Sequence, residues 1–218
     1  SQTYNCFTND KTIYNAFIGG EVEIRNIHKN LSIIPASPHL DKLEVELSTK
    51  HNRDLLLMMW CQDNIDLIKD FDYILIDCHP DFLTVTKNAI AISHYVISPI
   101  EPSQYGYMAK QLLTERMKNF KEEVIDPRTR ESLVTAKEFF IGNRIRHNTN
   151  SSKEFSEKIS LDKKTIAMIP EKELFNKSTL NNIPVVNMID DEKIYNKNKE
   201  FFVSLDKNFD KITQIISI

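Results

Sequence analysis

Glycine is scarce in this chain. There are four, Gly19, Gly20, Gly106 and Gly142, among 218 residues, where average usage of ~7% would give about 15. No G-x-x-x-x-G-K-[ST] and no G-x-G-x-x-G occurs, so the sequence contains none of the loops whose backbone amides come close enough to a phosphate to cradle it. Cysteine is also sparse. Cys6, Cys61 and Cys78 are scattered without a C-x-x-C pair, which argues against a disulfide framework or a zinc site and fits a reducing, cytoplasmic setting. No apolar run approaches the ~18 residues of a membrane-spanning helix. Neither sign of charge dominates: 28 Lys+Arg against 31 Asp+Glu leave a formal net charge of −3. Overall charge therefore points to neither a nucleic-acid binder nor a membrane-surface protein, and only a local basic patch would do so.

What is present begins with Tyr73-Ile74-Leu75-Ile76-Asp77-Cys78-His79-Pro80-Asp81. Four β-prone apolar residues run into a carboxylate and then a proline-bearing turn, the pattern of a parallel strand buried on both faces. An Asp at the carboxyl end of such a strand falls at the rim of the sheet, where open α/β folds place their ligands. In phosphate-transferring enzymes an Asp so placed serves the Mg2+ ion beside the phosphates. Apolar runs at Leu31–Ala36, Tyr95–Ile100, Glu138–Gly142, Thr165–Ile169 and Pro184–Met188 read as further strands. Helical periodicity at 40–47, 54–68, 82–91, 102–120, 151–159 and from about 190 onward separates them. Alternation of this kind predicts one α/β domain over 1–218, three layers of α/β/α around a mostly parallel sheet.

Read in order, these segments resemble the ParA/Soj-type partition ATPases, the deviant-Walker branch of the P-loop enzymes that includes MinD. Leu31 to Ala36 is similar to that family's L-x-x-I-P-S strand. Tyr73 to Pro80 resembles its Walker B segment, and Asn88-Ala89 with Ile97 to Tyr105 resembles the strand and helix that follow. Phe140-Ile141-Gly142-Asn143-Arg144 sits where the family's strand ends beside the base, and Met168-Ile169-Pro170-Glu171-Lys172 resembles its I-P-R loop. Gln2 and Thr8 resemble the tail of a D-x-D-P-Q-x-x-x-T signature, with five residues between them in place of three. On that reading the chain begins just after the P-loop helix and its strand, so that one strand–loop–helix–strand unit is missing.

The resemblance implies ATP and Mg2+ as cofactors. It makes Asp77 the catalytic and metal-binding carboxylate, and puts Gln2, Asn143, Arg144, Pro170 and Glu171 around the nucleotide. Arg146, Lys153, Lys158, Lys172 and Lys177 then form a surface for non-specific DNA, in a homodimer stimulated by a ParB-type partner on the nucleoid and not on a membrane. His79 and Asp81 depart from the Pro or Ala and the Ser or Gly usual at those places; His79 reads as an exposed turn histidine. Two alternatives stand beside this reading. One is a ParA-like DNA-binding adaptor without catalysis. The other is a receiver-type signalling domain, which needs an acidic pair after its first strand and a Lys-Pro after its fifth, and neither is found there.

Overall fold

A computed structural model describes residues 4, 6, 8, 10–146 and 150–217. The chain forms two compact units, one of residues 1–94 with 124–136, the other of 95–123 with 137–218.

The first unit contains α1 (Ile13–Ile18), the antiparallel pair β1 (Arg25–His28) and β2 (Leu31–Ile33), then α2 (Leu40–Leu47), α3 (Leu56–Asp63), α4 (Ile65–Ile68) and α5 (Thr84–Ile92). Its core is made by Ala16 and Phe17 of α1, Leu43 and Leu47 of α2, and Leu57 and Trp60 of α3. Local sequence gives neither α3 nor α5 a capping side chain of its own: the residue before each helix is a leucine. Other elements supply the missing acceptors. Glu44 of α2 accepts from the Val85 amide at 3.1 Å, and Asn88 of α5 accepts from the Leu57 amide at 2.9 Å. The first amides of a helix have no partner inside it, so these two bonds tie α2, α3 and α5 together.

Two expectations fail in this unit. Leu31–Ala36 is not a parallel strand; only Leu31–Ile33 is extended in a ladder, and it pairs antiparallel with β1, a strand the sequence reading missed. Tyr73–Asp77 belongs to neither sheet of the described residues. It runs without turn or bend, and Ile74, Leu75 and Ile76 are 56%, 87% and 38% exposed. Propensity makes a segment competent for a strand, but a ladder also needs neighbours to take its amides and carbonyls, and those are not given by local sequence.

In the second unit, β3 (Tyr95–Ile100), α6 (Gln104–Glu123), β4 (Lys137–Ile145), α7 (Asn150–Ser160), β5 (Thr165–Pro170), α8 (Glu173–Asn181), α9 (Glu192–Lys197) and α10 (Lys199–Ile216) follow in order. The strands form a parallel sheet, β3-β4-β5. Side chains alternate across it. Phe140 turns to one face with Phe155 and Ile159 of α7 and Tyr107 and Leu113 of α6, while Phe139 and Ile141 turn to the other with Ile212 and Ile215 of α10. The result is the expected three-layer α/β/α arrangement. The apolar positions of α6 do not all go inward: Met117 and Phe120 are buried, but Tyr105, Met108 and Leu112 are largely exposed. The final helical stretch breaks at Asn198, and Pro184–Met188 is not a strand, because Val185–Asp190 winds into a 3-10 helix.

Gly106 has a specific reason to be glycine. A Cβ there would lie 2.2 Å from the Glu101 carbonyl oxygen and 3.1 Å from the Glu101 nitrogen. Both are backbone atoms, so the start of α6 would have to shift. We expect Gly106→Ala to destabilise the chain by about 1–3 kcal/mol, against the gain in helix propensity that this exchange normally brings. A urea midpoint unchanged or raised relative to the parent would refute the close approach.

Candidate functional site

The carboxyl ends of β3, β4 and β5 bring together Glu101, Arg144, Arg146 and Glu171. β4 carries an irregularity there: Gly142 pairs with Met168 and Ile145 with Pro170, so one extra residue is accommodated on the β4 side. Bulges of this kind re-aim side chains at functional edges. The extra length falls on Asn143-Arg144, and Arg144 takes φ +55°, a left-handed conformation uncommon for a residue with a Cβ. The Asn143 side chain steadies the corner by accepting from the Arg144 amide at 3.0 Å.

From this corner the Arg144 guanidinium reaches Glu101, just past β3, at 3.2 Å, and Glu171, just past β5, at 3.6 Å. Arg146 also grips Glu171, through both Nε and Nη2. The Arg146 bond, with Arg144 assisting, holds the Glu171 carboxyl below the usual carboxylate range. Four of the residues thus form one strap across three strand ends. Beside it opens a cleft of about 890 Å3, floored by Ile145, Met168 and Pro170 and edged by Glu171, Lys172 and the start of α10. Its apolar floor is outnumbered by polar and charged lining residues such as Glu171, Lys172, Asn198 and Lys199, and its volume admits a small organic ligand.

The other predicted residues are more dispersed. Gln2 lies outside the described residues. On α7, Lys153 and Lys158 are exposed, with Lys158 paired to Glu154 at 2.6 Å. Lys177 is exposed on α8, and Lys172 lies over the Phe201 ring at 5.7 Å. Charge of both signs is therefore interleaved on this surface.

In the first unit, Asp77 is an exposed carboxylate at the end of the apolar run. Past it, Asp81 is the best-held group of the turn. Its Oδ1 accepts from the Leu83 amide at 3.0 Å and the Thr86 hydroxyl at 2.9 Å, and its Oδ2 lies 3.1 Å from His79 Nδ1. Partial burial pushes the Asp81 carboxyl up, but those three donors outweigh it and hold it low. The sequence reading has His79 as an exposed turn histidine, which it is, but not its pairing with Asp81; their i, i+2 spacing around a proline was the available signal.

A parallel sheet with a bulged, charged rim and a cleft at its carboxyl edge has its opening where open α/β folds place their ligands. The AAA domain family model matches residues 1–132, and the chain belongs to that family, as a member of its ParA/Soj type. It is similar to the chromosome partitioning protein ParA of Myxococcus xanthus, 32% identical over 108 residues that make up 47% of this chain and 37% of that protein. It is similar also to the chromosome-partitioning ATPase Soj of Treponema pallidum, 30% identical over 49% of this chain and 43% of that one. The matches span less than half the length of these relatives. Among solved structures, a putative plasmid partition protein from Borrelia burgdorferi bound to AMPPNP shares the fold with a TM-score of 0.67 and 22% identity, over 86% of this chain and 74% of that one. The cobyrinic acid a,c-diamide synthase of Mycobacterium smegmatis with bound ADP and magnesium matches at a TM-score of 0.61 and 17% identity, over 87% and 74%.

Proposed function

We propose that the intact protein is a partition ATPase. It hydrolyses ATP with Mg2+, dimerises in the ATP-bound state, coats DNA without sequence preference in the cytoplasm, and answers to a ParB-type partner. The observation that carries this reading is the bulged Asn143-Arg144 corner beside the cleft floored by Pro170. It supplies an amide with both donor and acceptor, which suits an adenine edge, above apolar surface for a ring to lie on. The ParA and Soj relatives and the AMPPNP-bound neighbour support the same ligand.

Asp77 is the residue that would hold the metal. Among the described residues no group of three or more His, Cys, Asp or Glu side chains is arranged to hold a metal ion. A single carboxylate nevertheless fits Mg2+, which keeps much of its water and is usually bound through one or two carboxylates and the substrate's phosphates. When bound, the ion would neutralise charge on those phosphates. The chain itself supplies the base edge and the Asp77 turn; it contains no glycine-rich phosphate loop.

Arg146, Lys153, Lys158, Lys172 and Lys177 are the DNA-facing candidates, working through phosphate neutralisation. Among the described residues no helix is long and apolar enough to cross a membrane. The test is fluorescence anisotropy of the full-length protein on duplexes of unrelated sequence. Affinity should rise with ATP and Mg2+ and fall steeply with salt, with log K linear in log salt. An affinity indifferent to ATP and Mg2+ would instead establish the non-catalytic adaptor.

A further inference from the structure

The geometry points to Glu171 as a built-in competitor of DNA: its carboxylate occupies on Arg146 the place that a backbone phosphate would take. This rests on the DNA surface proposed above and adds a restraint that lies within that surface.

Arg146 is open to solvent, with its side chain 61% exposed, yet its fork is engaged. Nε and Nη2 both donate to Glu171, one to each carboxylate oxygen. A guanidinium meets a phosphate through the same paired N–H bonds with which it meets a carboxylate. The two anions therefore compete for one edge of one group. The charge balance of the corner acts in the same direction. Arg144 reaches Glu171 at 3.6 Å and Glu101 at 3.2 Å, so two guanidiniums are set against two carboxylates and DNA is offered no net charge there. The Arg146 bond, with Arg144 assisting, holds the Glu171 carboxyl low and so keeps it ionised as a competitor.

The exchange requires no refolding. The Glu171 amide donates to the Ile145 carbonyl at 3.0 Å, and the Arg146 amide donates to the hydroxyl of buried Ser152 at 3.1 Å. Both backbone positions are fixed by bonds that the ion pair does not share, and the two side chains can part by rotation alone. Nor does the fold depend on the pair, because ion pairs between exposed side chains contribute little to stability. What the pair does is withhold Arg146. The restraint keeps DNA binding reversible, since Glu171 stands ready to retake the guanidinium as a phosphate leaves.

The experiment is a double-mutant cycle on Glu171 and Arg146 in the full-length, nucleotide-free protein. It is read by fluorescence anisotropy on duplexes of unrelated sequence, at salt low enough for the parent to bind. Glu171→Gln should tighten DNA binding about two- to fivefold, the factor that an exposed ion pair can withhold. Arg146→Gln should weaken it. Adding Glu171→Gln to Arg146→Gln should then change affinity no more than the loss of an unrelated charge does. Glu157→Gln, at an exposed position on the helix that carries Lys153 and Lys158, measures that unrelated loss. Thermal melts of the single variants should match the parent's. A Glu171→Gln that binds no more tightly than Glu157→Gln overturns this inference and leaves the DNA surface standing. So does an equal gain from Glu171→Gln with and without Arg146, which would make Glu171 a distant charge and not a competitor. A parent that binds DNA neither alone nor with ATP and Mg2+ overturns the DNA-surface reading and this inference with it.

Discussion

Replacing Asn88 with alanine should destabilise the first unit by about 3 kcal/mol. Asn88 is fully buried, at 0% exposure. Its Oδ1 accepts from the Leu57 amide at 2.9 Å, and its Nδ2 donates to the Arg53 carbonyl at 2.6 Å and the Thr84 carbonyl at 2.8 Å. Thr84 is in its own helix, but Arg53 and Leu57 bracket the start of α3, 31 or more residues away. Alanine would strand the Leu57 amide in a site closed to water. A buried donor left without its acceptor costs about 1–3 kcal/mol, before the two lost carbonyl contacts and the small void are counted. Aspartate should be worse than alanine. It keeps an oxygen for Leu57 but turns a second one, negatively charged, toward two carbonyl oxygens. Urea unfolding checks both: the midpoint should fall without a change in slope, further for Asn88→Asp. An alanine variant within about 0.5 kcal/mol of the parent would mean that Asn88 is not the cap of α3.

That residue also shows where sequence was legible and where it was not. Asn88-Ala89 was recognisable as part of a family pattern, but its physical task was not, because the helix it caps lies far from it in the chain. The leucines that precede α3 and α5 offer no capping side chain, and both helices borrow acceptors from packed neighbours. The parallel strands β3, β4 and β5 were readable because each is a continuous apolar run bounded by turn signals, and a strand covered on both faces needs no more than that. The same rule misled at Tyr73–Asp77, an equally apolar run that the described structure leaves exposed, since the rule specifies hydrophobicity and not partners. At the site, Asn143, Arg144, Pro170 and Glu171 were placed at strand ends by resemblance, and the structure brings all four to the rim of the β3-β4-β5 sheet. Glu101 was not foreseen as the far end of the Arg144 contact. Nothing local marks a glutamate for pairing 43 positions away. Nor was the bulge readable, since it appears only when β4 is laid against β5.

Asp77→Ala should abolish ATP turnover in the full-length protein while leaving the fold intact. Asp77 is exposed and has no part in either unit's core, and truncation at such a surface position changes stability by no more than about 0.5 kcal/mol. Its expected contribution is electrostatic. A carboxylate that orients Mg2+ on the nucleotide acts on charge that develops as the γ-phosphate departs, and losing it should slow turnover by at least about 100-fold, or roughly 2.7 kcal/mol of barrier. Asp77→Asn separates charge from shape. It keeps the side chain's size and one carbonyl oxygen but cannot supply the negative charge, so it should be nearly as slow as alanine. Nucleotide affinity measured with Mg2+ and with EDTA gives a second readout: the parent should bind more tightly with the ion, and both variants should lose that increment. Turnover at the parental rate in either variant would remove Asp77 from the mechanism, however well the rest of the Tyr73–Asp81 segment matches its relatives.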